Sequence, residues 1–123
     1  MLIKQIQPAF RDERGDIADI ASEIFDHATI IHSHPGAVRG NHYHKETTQY
    51  TYIVSGKTIA VSEVPGEAPT EMVLQQDDLL ISLPGEYHAF ESLEESTWLV
   101  LTRGPRGGQD YETDTYRLDQ PLL

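Results

Sequence analysis

No cysteine occurs anywhere in the chain, which excludes disulfides, thiolate nucleophiles and thiolate metal ligands without fixing the compartment. Long apolar runs are missing as well. No stretch approaches the length of a membrane span, and the opening MLIKQIQPAF breaks its apolar residues with Lys4, Gln5, Gln7 and Pro8, unlike a secretory signal, so the expected location is cytoplasmic. Positive charge is scarce: 9 Lys and Arg stand against 20 Asp and Glu, a formal net charge of -11. A chain of that sign repels phosphate backbones and anionic bilayers, so no nucleic-acid and no membrane partner is expected. A small anionic ligand is still admitted wherever a few arginines meet.

The 123 residues make one domain, with no room for a second, and can bury roughly two-thirds of their unfolded surface. Hydrophobic residues amount to only 38%. That share suits a thin-walled β-structure whose interior is partly polar, such as a barrel around a lined cavity.

Short β-branched or aromatic runs recur about every ten residues between Gly, Pro and Asp turns, which predicts an all-β sandwich or barrel. Residues 1–26 read as N-terminal edge strands around a charged turn at 11–15, with Ile17 and Ile20 carrying the second strand's apolar content. For 21–27 a turn of helix capped by Ser22 competes with irregular chain. Residues 27–102 form the barrel core, with strands at 29–34, 38–44, 49–54, 58–64, 72–75, 79–83, 88–92 and 97–102. Residues 103–123 are a turn-rich tail packed on the barrel, in which Arg103 and Arg106 read as solvated turn charges, a phosphate contact being the other reading. Within 49–54, Gln49 shares a face with Thr51 and Ile53, which turns Tyr50 and Tyr52 outward.

The organising stretch is His42-Tyr43-His44. Side chains two apart leave the same face of a strand, so His42 and His44 can converge on one object, usually a metal ion, while Tyr43 points away. Paired histidines also occur as hydrogen-bonded strand residues, and that alternative stays open. His34 ends its own strand near this motif and is a candidate ligand contact.

The spacing around the pair resembles the cupin family. Gly36, His42, His44 and Gly56 fit its first motif, G-x5-H-x-H-x4-E-x6-G, with Gln49 where the family has glutamate. The second motif, G-x5-P-x-G-x2-H-x3-N, is matched by Gly85 and His88, with Asp77, Leu83 and Ser92 in place of its Gly, Pro and Asn. The resemblance implies a double-stranded β-helix, the cupin jelly roll, with a metal held by His42, His44, Gln49 and His88. Zinc is the foremost ion expected, with iron, nickel and manganese as alternatives. An amide at residue 49 leaves the full charge of a divalent ion uncancelled, which favours an anionic oxygen ligand and weakens retention of the ion.

Arg39-Gly40-Asn41-His42-Tyr43-His44-Lys45 is similar to the cupin deoxysugar ketoisomerases and 3,5-epimerases. The longer HPGxxRGNHYH run looks like the C-terminal cupin of capsular-polysaccharide synthesis reductases, and Asp12-Glu13-Arg14-Gly15 is similar to the epimerases' DxRG turn. These likenesses imply an isomerase or epimerase of a keto-sugar nucleotide in polysaccharide precursor synthesis, working as a homodimer, with His42 in the place of the base. A histidine whose only free nitrogen binds metal cannot also be the base, so either His42 works free of metal or a metal-bound water or a tyrosine moves the proton. Tyr87 and Tyr111 are the tyrosine candidates, and Arg39, His34 and Tyr111 the substrate contacts. Two other readings compete: an iron-dependent dioxygenase of a small organic substrate, and a non-catalytic barrel that binds a small ligand.

Overall fold

β-Branched and apolar runs separated by turn formers become strands throughout the computed structural model, which describes residues 2–123. In chain order they are β1 (Leu2–Gln5), β2 (Phe10–Asp12), β3 (Gly15–Ile17), β4 (His27–Ser33), β5 (Val38–Tyr43), β6 (Thr48–Ser55), β7 (Lys57–Glu63), β8 (Thr70–Gln75), β9 (Asp78–Ser82), β10 (Tyr87–Ser92), β11 (Ser96–Arg103) and β12 (Tyr116–Arg117). Two antiparallel five-stranded sheets, ordered β1-β9-β6-β11-β4 and β12-β5-β10-β7-β8, form an all-β jelly roll, and β2 and β3 make a separate hairpin. Among the described residues no helix is long and apolar enough to cross a membrane.

The helical turn weighed for 21–27 does not form. That segment runs irregularly to β4, tied down by the Asp26 N–H donating to the Thr102 carbonyl at 2.8 Å and by Phe25 packing edge-on against Tyr50, ring centroids 5.0 Å apart. So few residues cannot repay helix nucleation against these contacts. The tail adds a strand the sequence did not announce, β12, whose Tyr116 and Arg117 pair with Tyr43 and His42.

Alternation along β6 decides what lies inside. Gln49, Thr51 and Ile53 are buried, while Tyr50 and Tyr52 are half-buried on the outer face. Ile53, Leu74, Leu80, Phe90, Trp98 and Val100 cluster as the apolar core. Among the described residues, buried polar side chains outnumber buried apolar ones, fourteen to eleven, so the interior is polar in large part. Along β6 the inward face passes from Ile53 through Thr51 to Gln49, and this polar end holds the histidines.

Candidate functional site

The site begins with an irregularity in β5. Its partner β10 pairs Phe90 with Arg39, Ala89 with Gly40 and His88 with His42, which leaves Asn41 as an extra residue. Gly40 (φ 90) and Asn41 (φ 56) both take left-handed backbone to make this bulge. A Cβ on Gly40 would lie 2.8 Å from the His88 carbonyl oxygen, so glycine is required. The bulge resets strand phase. Arg39 and His42, three apart, would face opposite ways on an unbroken strand, yet both line one cavity. Asn41 also anchors the chain end: its Nδ2 donates to the Leu123 carbonyl at 3.1 Å, and its Oδ1 accepts the Leu122 N–H at 2.7 Å.

His42, His44 and His88 are all buried and meet with ring centroids 4.7 to 5.2 Å apart. One nitrogen from each lies within 4.8 Å of the others. His44 donates from Nδ1 to the Asp114 carbonyl at 2.8 Å, which leaves its Nε2 as the lone-pair nitrogen. That Nε2, the Nδ1 of His42 and both nitrogens of His88 are buried without a hydrogen-bond partner. Burial disfavours the imidazolium at each ring. With the added repulsion of His44, Arg106 and Arg117 it pushes His42 down to about 3. His88 falls well below 6.5 through burial and the charges of His42, His44 and Arg106. His44 is also lowered by burial, with Arg106 acting the same way, against the opposing pull of its Asp114 hydrogen bond and of the neighbouring Gln49 side chain. Neutral imidazoles with unspent lone pairs are costly to bury unless a cation takes them, and an all-nitrogen set of this kind suits a divalent transition ion.

Asp114 organises the loop after β5. Its Oδ1 accepts the Lys45 N–H at 2.9 Å, and its Oδ2 accepts the N–H groups of Glu46 and Thr47 and the Thr47 hydroxyl, all within 3.0 Å. Burial by itself would raise this carboxyl, but the hydrogen bonds from Thr47, Glu46 and Lys45 outweigh it and hold Asp114 below the usual carboxylate range.

In front of the histidines lies a cavity of about 400 Å³, with His42, Arg39, Gln49, Arg106, Tyr111 and Arg117 on its walls and Phe90 and Trp98 at its apolar side. His44 and His88 are not part of its lining, so His42 is the member of the cluster that a ligand meets. Gln49 Nε2 donates to Thr51 Oγ1 at 3.1 Å, and its Oε1 accepts from Arg106 Nη1 at 3.3 Å. Arg39 is fastened to Ser33 Oγ at 2.8 Å and to the His32 carbonyl at 3.1 Å, and Arg117 pairs with Glu112.

Of the residues singled out in the sequence, the fold brings together His42, His44, His88, Gln49, Arg39 and Tyr111. Two lie elsewhere. His34 is exposed and pairs with Glu95 at 2.9 Å. Tyr87 neighbours His88 in β10, so it faces outward, where its ring meets Tyr43 at 5.1 Å. Arg103 is the surface charge it looked like, 3.4 Å from Glu23, whereas Arg106 turns into the cavity. The sequence did hold a signal for this in the glycines of RGPRGG. Side chains at 104 and 107 would strike Thr47 and the His27 ring, at 2.7 and 2.5 Å, so these glycines let the tail press against the barrel.

The family model described as Cupin domain matches residues 29–102. No curated protein matches the chain in sequence. Solved structures share its fold: a 3,4-ketoisomerase from Helicobacter canadensis is 18% identical with a TM-score of 0.79, over 94% of this chain and 89% of that one. A sugar 3,4-ketoisomerase from Thermoanaerobacterium thermosaccharolyticum, in complex with TDP, is 19% identical with a TM-score of 0.77, over 96% and 88% of the two chains. The dTDP-4-dehydrorhamnose 3,5-epimerase from Sulfolobus tokodaii is 21% identical with a TM-score of 0.69, over 81% and 68%.

Proposed function

The chain belongs to the cupin domain family, and from that premise we propose that it is an isomerase or epimerase of a keto-sugar nucleotide. The observation that carries this reading is the placement of charge. Three of the nine basic side chains, Arg39, Arg106 and Arg117, face the cavity that His42 lines, in a chain of net charge -11. With Glu112 as the carboxylate on the same wall, the cavity keeps an excess of positive charge in an acidic protein, which suits a small polyanion such as a nucleotide diphosphate. The likeness to sugar-nucleotide isomerases and epimerases, one of them solved with TDP, supports the same ligand class.

His42, His44 and His88 would hold a divalent ion, with zinc as the first candidate. When bound, such an ion would polarise a substrate carbonyl and favour the charge of an enolate. Gln49 has its oxygen on Arg106 and is assigned to that arginine rather than to the ion. Tyr111, through its hydroxyl, is the cavity group able to move a proton beside the ketone when the ion takes His42, and His42 is the base only where no ion holds it. Tyr87 lies outside the cavity and has no part in this assignment. A second copy of the chain as partner belongs to the same proposal.

The test supplies UDP- or dTDP-4-keto-6-deoxysugars in deuterated water and looks for deuterium on the carbon next to the ketone. No exchange across the panel removes the isomerase reading. Elemental analysis of the wild type beside His44→Ala tests the ion separately: equal metal in both removes that assignment, and iron with substrate-dependent oxygen uptake would turn it into a dioxygenase.

A further inference from the structure

Arg106 is a cation in the cavity wall without an ion-pair contact: Glu112, the carboxylate on the same wall, is in contact with Arg117 and acts on Arg106 only at longer range. The two acceptors of Arg106, Gln49 Oε1 and the Tyr111 carbonyl, are both neutral and both 3.3 Å away, at the long end for such bonds. No carboxylate lies within ion-pair distance of it among the described residues. Of the other cavity arginines, Arg117 is matched by Glu112, while Arg39 also has only neutral acceptors but holds them more tightly, Ser33 Oγ at 2.8 Å and the His32 carbonyl at 3.1 Å. A glutamate at residue 49 would lie within reach of the guanidinium and neutralise it. Glutamine accepts the same hydrogen bond and leaves the charge standing.

We infer that Arg106 binds a phosphate oxyanion of the ligand, and that Gln49, as an amide in the place of a carboxylate, keeps the guanidinium available for it. The residue that departs from the family motif thus becomes an element of anion recognition. This rests on the reading of the cavity as a sugar-nucleotide site, but it is tested without turnover.

Pyrophosphate and TDP are titrated calorimetrically into the purified protein and three variants, each confirmed as folded by its β-sheet circular dichroism. Arg106→Met should weaken both probes about tenfold or more, the loss expected for a hydrogen bond between charged groups. Gln49→Glu should weaken them comparably although Arg106 is still present, because the new carboxylate adds a negative charge beside it. Gln49→Met, which removes the hydrogen bond and adds no charge, should weaken them much less than Gln49→Glu does, and an equal loss in the two overturns the inference. Wild-type affinity in Gln49→Glu overturns the inference even if Arg106→Met fails to fold, and wild-type affinity in Arg106→Met overturns it directly. Loss of pyrophosphate and TDP affinity in a protein that shows no deuterium exchange keeps the anion element and removes only the isomerase reading.

Discussion

His44 Nδ1 donates to the backbone carbonyl of Asp114, seventy residues further along the chain and 2.8 Å away. One residue of the tail thus sets the tautomer of a buried histidine with its carbonyl and caps the loop that carries that histidine with its carboxylate. Asp114→Asn should therefore act twice. Replacing a carboxylate that accepts four hydrogen bonds costs about 1–3 kcal/mol of stability, and metal content should fall with it. The folded carboxyl is held below 3.8, so its contribution is present above that pH and is lost as pH falls through the lower folded value. Urea midpoints measured from neutral pH down to acid should show the gap between wild type and Asp114→Asn closing below about pH 4.

Gly40→Ala tests the bulge. The new methyl meets the His88 carbonyl at 2.8 Å on a backbone with φ 90, so β5 must move off β10 and carry His42 with it. We expect a loss of about 2 kcal/mol or more, with metal content reduced. Gly36→Ala is the comparison: its φ of 84 is similar, but nothing lies within 4 Å, so only the backbone preference is lost, about 1 kcal/mol. Equal destabilisation of the two would show that the β5–β10 approach is not what demands glycine.

Tyr52 reports on the turn before β9. Burial raises its hydroxyl to about 12, with the Asp77 hydrogen bond at 2.6 Å and the Asp77 charge acting the same way. Asp77 holds φ 73, and this bond helps to fix it there. A phenol raised above 10 stabilises the fold fully below that pH and loses the contribution as pH climbs from 10 to about 12. In a near-ultraviolet titration one of the six tyrosines should ionise late, and Tyr52→Phe should remove that step. A late step that persists in Tyr52→Phe belongs to another tyrosine.

The three proton-carrying candidates separate by location. His42→Asn and Tyr111→Phe should each lower the rate of deuterium exchange about a hundredfold or more, as removal of a general acid or base does. Tyr87→Phe, on the outer face of β10 against Tyr43, should change it less than a few-fold. A large loss in Tyr87→Phe with normal folding would place that hydroxyl in the chemistry.

What the sequence determined by itself was what depends on neighbours along the chain. Strand parity put His42 and His44 on one face and Tyr43 on the other, and likewise Gln49 inside with Tyr50 and Tyr52 outside. The all-β class followed from β-branched runs between turn formers. Parity also places Tyr87 opposite His88. The rest was decided by register and by contacts between distant segments. Arg39 and His42 share the cavity only because pairing with β10 extrudes Asn41, and no count along β5 alone reveals a bulge. Arg106 turns inward because glycines at 104 and 107 let the tail close on Thr47 and His27, and its meeting with Gln49 spans 57 residues. Sequence spacing fixes which way a side chain leaves its strand; only the tertiary fold decides what it meets there, because the partners arrive from elsewhere in the chain.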